Sequence, residues 1–163
     1  MRHTFTAIIM LGCLLTILVT SGDQALASGI VLRPHGGIGH LKAEETKFNG
    51  LISHVGGRIV LSADAGRKYG LEATYFHPTN GDDFVSLGIV LENKQWSWFN
   101  MSIGTIGFFH FLDTSDNPVG LTTNLGWEPE RYKIFKPFIT YRTDIIFHDR
   151  IAVMHSLSLG FSW

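Results

Sequence analysis

Over most of residues 30–163 apolar and polar positions alternate with a period of two, the spacing of a strand with two unlike faces. The last segment is the clearest. Ile151, Val153, Leu157, Leu159, Phe161 and Trp163 share one face, and Ala152, Met154, Ser156, Ser158, Gly160 and Ser162 share the other. Residues 134–147 repeat the pattern: Phe135, Ile139, Tyr141, Ile145 and Phe147 oppose Lys136, Thr140, Arg142, Asp144 and His148. Val85, Leu87, Ile89 and Leu91 oppose Ser86, Gly88 and Glu92, while Val119, Leu121, Leu125 and Trp127 oppose Gly120, Thr122, Asn124 and Gly126. Turn-forming residues punctuate these runs. The pattern predicts eight strands, at about 30–41, 51–64, 69–77, 84–92, 96–112, 119–127, 134–147 and 151–163. The first has the poorest alternation, because Arg33, Pro34, His35 and three glycines interrupt it.

The polar faces decide which side of such a sheet is the inside. They are rich in Gly and Ser and poor in Lys and Glu, whereas a water-facing surface carries roughly a quarter to a third charged residues. They suit the narrow, side-chain-filled interior of an eight-stranded barrel, leaving the apolar faces to lipid. The fold class expected is therefore all-β: an eight-stranded antiparallel up-and-down transmembrane β-barrel. The aromatic residues agree. With the N-terminus periplasmic, the connections near 65–68, 93–95 and 128–133 lie on one side of the membrane. Trp96, Trp98, Trp127, Trp163, Tyr69 and Tyr132 gather there, and Tyr75, Phe76, Phe84, Phe109, Phe111 and Phe147 fall near the other rim. Two aromatic girdles around an apolar band are a membrane-barrel arrangement.

The N-terminus changes the picture in a second way. Met1-Arg2-His3 is cationic, Ala7–Val19 is largely apolar, and Ala25-Leu26-Ala27 has the small-residue spacing of a cleavage site. The expected organisation is a cleaved signal peptide, 1–27, followed by one barrel domain, 28–163. Leu11-Gly12-Cys13 has the look of a lipoprotein site, but the apolar run continues past the cysteine, which such a site ends. Cys13 is the single cysteine, so no disulfide can staple the exported domain. A formal net charge of −1, with no basic run, gives nucleic-acid binding no support.

The ending Leu157-Ser158-Leu159-Gly160-Phe161-Ser162-Trp163 resembles the C-terminal assembly signal of Gram-negative outer-membrane proteins. In that signal alternate apolar residues lead to a terminal aromatic read by the barrel assembly machinery. Here Ser158 stands where the signal usually has glycine, and Trp replaces the commoner Phe. With the signal peptide, length and strand count, the chain resembles small eight-stranded barrels of the OmpA/OmpX-like class. The resemblance implies outer-membrane localisation, outer-membrane lipids and lipopolysaccharide as surroundings, and assembly through Leu157, Leu159, Phe161 and Trp163.

Strand parity sends Arg58, Glu72, Glu92, His110, Arg142 and Asp144 inward. Charges in a dry lumen must pair. The expectation is a structural ion network, of which Arg58, Glu72, Glu92, Arg142 and Asp144 are the core, because eight strands leave no open channel. No histidine pair has a helical metal-ligand spacing, and no Gly-rich run opens a helix, so neither metal nor other cofactor is expected. His155 shares the outward parity of Val153 and Leu157, about eight residues from the C-terminus. Lipid A deacylases use an outer-wall His within a His-x-Ser-Asn run, and His155-Ser156-Leu157-Ser158 departs from it. The main functional expectation is a structural or surface-interaction barrel, filled and not a porin. The alternatives are a lipid A-modifying hydrolase centred on His155, with Ser156 as a second candidate, and a soluble periplasmic barrel carrying a ligand.

Overall fold

The computed structural model describes residues 30–44, 47–62, 67–96, 98–113, 117–129 and 135–163. The expected signal peptide lies outside them. Eight strands follow in order: β1 Ile30–Ala43, β2 Phe48–Ser62, β3 Arg67–Pro78, β4 Phe84–Trp96, β5 Phe99–Phe109, β6 Val119–Trp127, β7 Lys136–Phe147 and β8 Ile151–Ser162. Each pairs antiparallel with its sequence neighbours, and β1 pairs with β8, so the sheet closes and has no free edge. Closure satisfies every strand's backbone groups within the sheet, which is what hydrocarbon demands. Below the ladder, Leu32 and Trp163 exchange N–H···O bonds of 2.9 and 3.2 Å, sealing the last residue into the seam.

The eight expected strands are all present. β1 forms despite its poor alternation because β2 and β8 hold it from both sides: His35 to Ala43 pair with both. The fourth connection differs from expectation. β4 runs through Trp96 and β5 starts at Phe99, so Trp96 ends β4 instead of starting β5. A register shift between Lys94 and Trp96 absorbs the extra residues that the alternation read as a turn.

The two faces separate as the period requires. Leu87, Ile89, Leu125, Ile139, Ile145, Leu157 and Leu159 are exposed, Leu159 at 62%, while Ser86, Asn124, Arg142, Asp144 and Ser158 are buried. The exposed apolar residues form a continuous belt on all strands but β1, which contributes only Ile38. An apolar patch of this extent is foreign to a water-soluble monomer and natural against lipid.

One half of the lumen, opposite the chain termini, is an apolar core. Leu41, Ile52, Phe76, Phe84, Ile106, Phe108, Phe111, Ile146 and Met154 are buried there. Phe76 stacks on Phe84 with centroids 4.8 Å apart, and Phe111 meets Phe84 edge-on at 5.1 Å. Here the expected rim girdle must be corrected. Tyr75, Phe109 and Phe147 face outward, but Phe76, Phe84 and Phe111 plug the inside. Tyr75 and Phe76 are consecutive and must point to opposite faces. Phe111 reaches inward because the chain leaves β5 through residues with left-handed backbone, His110 (φ 56°) and Leu112 (φ 49°). At the other end Tyr69, Trp98 and Trp127 are exposed as expected, with Trp163 half-buried beside Phe135, while Tyr132 and the Trp96 side chain lie outside what is described.

Candidate functional site

The other half of the lumen holds a chain of alternating charges. Strand parity aims Arg33, Arg58, Glu72, Glu92, Arg142 and Asp144 inward, and Glu128, just past β6, continues the series Gly120, Thr122, Asn124, Gly126. Glu128 receives a bond from Arg33 Nη2 at 2.8 Å, and Arg33 Nη1 donates to Glu92 at 2.5 Å. Arg58 reaches Glu92 at 3.4 Å and grips Glu72 Oε2 through Nε (2.8 Å) and Nη2 (2.5 Å). Arg142 donates to Glu72 Oε1, and its Nε binds both oxygens of Asp144 at 3.0 and 2.7 Å. Three guanidinium groups thus alternate with four carboxylates, from one end of the set to the other.

Neutral partners take some of the remaining positions, while Arg33 Nε and Arg142 Nη2 are buried with no hydrogen-bond partner among the described residues. Ser162 donates to Glu128 at 2.7 Å, Arg58 to Ser102 at 3.3 Å and Arg142 to Thr74 at 3.3 Å. Gly70 makes room: a Cβ there would lie 3.0 Å from Cδ of Arg58 and 2.8 Å from Val90. Above the network, His54 Nε2 and Ser158 Oγ are 2.8 Å apart.

The expected network residues Arg58, Glu72, Glu92, Arg142 and Asp144 all meet. His110 does not: it is exposed, because β5 ends at Phe109 and the left-handed backbone at His110 breaks the alternation that put it inside. Arg33 and Glu128 were missed. The glycines hid Arg33's parity, and Glu128 was read as turn although it continues the alternation of β6 by one step.

The network leaves little space. The cavity bounded by Arg33, Arg58, Glu72 and Arg142 has about 20 Å³, room for one water. With the phenylalanine plug beyond it, the interior is a packed core and not a passage. Among the described residues, no group of three or more His, Cys, Asp and Glu is placed to hold a metal ion.

On the outer wall His155 is exposed, as expected. Its ring stacks on Tyr141 at 6.0 Å, and its Nδ1 lies 2.9 Å from Tyr141 Oη and 3.1 Å from Thr143 Oγ1. No carboxylate is bonded to it among the described residues, and Ser156 points into the lumen, 3% exposed. Adjacent residues of a strand face opposite ways, so His155 and Ser156 cannot act on one substrate. Leu157, Leu159 and Phe161, expected to belong to a C-terminal assembly signal, are 50–62% exposed.

No family model matches the chain, and no curated protein does. Solved structures do. Neisserial surface protein A superposes with a TM-score of 0.60 at 12% identity, over 83% of this chain and 96% of that one. The N-terminal β-barrel domain of OprF from Pseudomonas aeruginosa gives 0.52 at 12%, over 83% and 98%. A de novo designed transmembrane β-barrel gives 0.52 at 12%, over 82% and 93%. At such identity the likeness is one of fold, that of small eight-stranded membrane barrels.

Proposed function

We propose that this chain is a structural barrel of a Gram-negative outer membrane, exported through a cleaved signal peptide and lacking a conducting pore. The observation that carries this reading is a lumen filled from end to end: ion-paired in one half, aromatic in the other, with space for about one water between side chains. A belt of exposed Leu, Ile and Val supports placement in lipid. The partners proposed are outer-membrane lipids and lipopolysaccharide along the wall, and the barrel assembly machinery at Leu157, Leu159, Phe161 and Trp163. Contact with other surfaces would go through the connections opposite the chain termini, residues 44–47, 79–83, 110–118 and 148–150, all of them short.

Fractionation of expressing cells together with planar-bilayer recording tests the proposal. The expected result is recovery with the outer membrane and no unitary conductance steps. Recovery in the soluble periplasm, or discrete channel openings, would overturn it.

A further inference from the structure

A second constellation lies on the outer wall, at the barrel end opposite the chain termini. Ser53 of β2 and His77 of β3 are direct cross-strand partners, and both face outward, exposed. Partners of this kind hold their Cβ atoms about 4.5–5.5 Å apart. Asp83, just before β4, reaches back to them. Its Oδ1 is 2.6 Å from Nδ1 of His77, and its Oδ2 accepts from Tyr75 Oη. The connection that brings Asp83 there turns at Gly81, whose φ of +113° a side chain rarely adopts. With Nδ1–H donated to a carboxylate, the imidazole is held so that Nε2 is the free, basic nitrogen. Ser53 Oγ donates to the backbone oxygen of His77 at 3.4 Å, and acting on the ring requires it to turn away from that oxygen.

Beside this trio lies an open groove of about 250 Å³ in the wall of β7, β8, β1 and β2. Two residues that bound it are the immediate neighbours of Ser53: Ile38, its cross-strand partner on β1, and Leu51, two positions along β2 on the same face. Leu157 extends the apolar lining, and His40 and His155 add two imidazoles. His155 Nδ1 is occupied by two hydroxyls, which leaves Nε2 as the other ring position.

We propose that Ser53, His77 and Asp83 form a serine esterase site that cleaves acyl esters of membrane lipids, with the acyl chain lying in the adjoining groove. The lipid substrate class rests on the membrane placement proposed above; the chemistry rests on the trio itself. Ser53 Oγ attacks the ester carbonyl carbon while its proton passes to His77 Nε2. The carbon–alkoxy bond breaks, and the leaving alcohol takes that proton. Water then attacks the acyl-Ser53 ester, giving one proton through His77 back to Ser53 and releasing the fatty acid. Ser53 and His77 are the catalytic residues and Asp83 is a positioning residue.

The test uses the full chain folded in detergent micelles, with an alkyl fluorophosphonate and with p-nitrophenyl acetate and decanoate as probes. Heat-modifiable migration verifies that each variant is a folded barrel, so loss of the fold is read separately from loss of chemistry. Labelling is expected at Ser53, by mass spectrometry, and absent in Ser53→Ala. His77→Gln should slow labelling about 100-fold or more, the usual contribution of a general base. Asp83→Asn should slow it too, with recovery in Asp83→Glu. Leu51→Trp, which fills the groove, should lower the decanoate-to-acetate rate ratio. A folded barrel with no label at Ser53, a labelling rate indifferent to His77→Gln, or an unchanged rate ratio in Leu51→Trp would overturn the proposal. Labelling in a chain that fractionates with the soluble periplasm would leave the esterase standing and remove the membrane placement instead.

Discussion

Arg142 is the side chain on which the lumen depends most. It is 2% exposed and donates to Asp144 twice, to Glu72 and to Thr74. Arg142→Ala removes the guanidinium and leaves two carboxylates behind. They are not equally stranded. Glu72 keeps two bonds from Arg58, whereas Asp144, 0% exposed, pairs with no other cation among the described residues. Breaking a buried pair by removing one partner costs about 3–5 kcal/mol, because the remaining charge is neither hydrated nor paired. Asp144→Asn should cost less, since Arg142 retains Glu72. The double change Arg142→Met with Asp144→Leu removes both charges with similar volume and should recover most of the loss. The assay is urea unfolding in lipid vesicles, followed by tryptophan fluorescence and heat-modifiable migration. A loss under about 1 kcal/mol for Arg142→Ala, or a double variant no better than the single one, would refute the argument that the charge is buried and dependent on its partner.

The wall should respond to the opposite chemistry. Leu71→Arg or Ile89→Arg, exposed cross-strand partners near the middle of β3 and β4, should cost about 2–4 kcal/mol, against little for Thr140→Ser, in the same vesicle assay. Phe76→Ala, opening a hole in the aromatic plug, should cost about 3–5 kcal/mol, and Phe147→Ala on the outer rim far less. Deleting Trp163 removes its bonds to Leu32 and the end of the proposed assembly signal. Export should continue while folded, heat-modifiable barrel falls, as read by gel mobility and protease sensitivity of the outer-membrane fraction.

The strands, their order and the faces of β4, β6, β7 and β8 were legible because a period of two is a local property of the chain. A closed barrel makes that local property global: one face meets lipid and the other a packed lumen. Three features escaped for physical reasons. Phe76, Phe84 and Phe111 read as girdle because aromatics near strand ends serve both a rim and a plug, and only the parity of each residue separates the two. His110 kept its parity on paper but not in space, because left-handed backbone ends the strand one residue earlier. Arg33 sits in a strand whose glycines carry no facing signal, so its place was fixed only by pairing with β2 and β8. The Ser53, His77 and Asp83 cluster was invisible for a different reason. Its members come from two strands and a turn, 24 and 6 residues apart, and only the register of β2 on β3 brings them together.

The central claim is that the apolar face of this barrel meets hydrocarbon and the polar face a closed interior. Cys13 is the single cysteine, so once it is replaced single cysteines can be placed at will. The direct measurement is a bimane label at Leu87, Ile89, Leu125, Ile139, Ile145 and Leu159, and at Ser86 and Asn124, in vesicles containing a spin-labelled lipid. The account predicts strong quenching by the lipid at the first six positions and weak quenching at the last two. Apolar positions that are quenched only by a water-soluble agent, with Ser86 and Asn124 quenched by lipid, would contradict it.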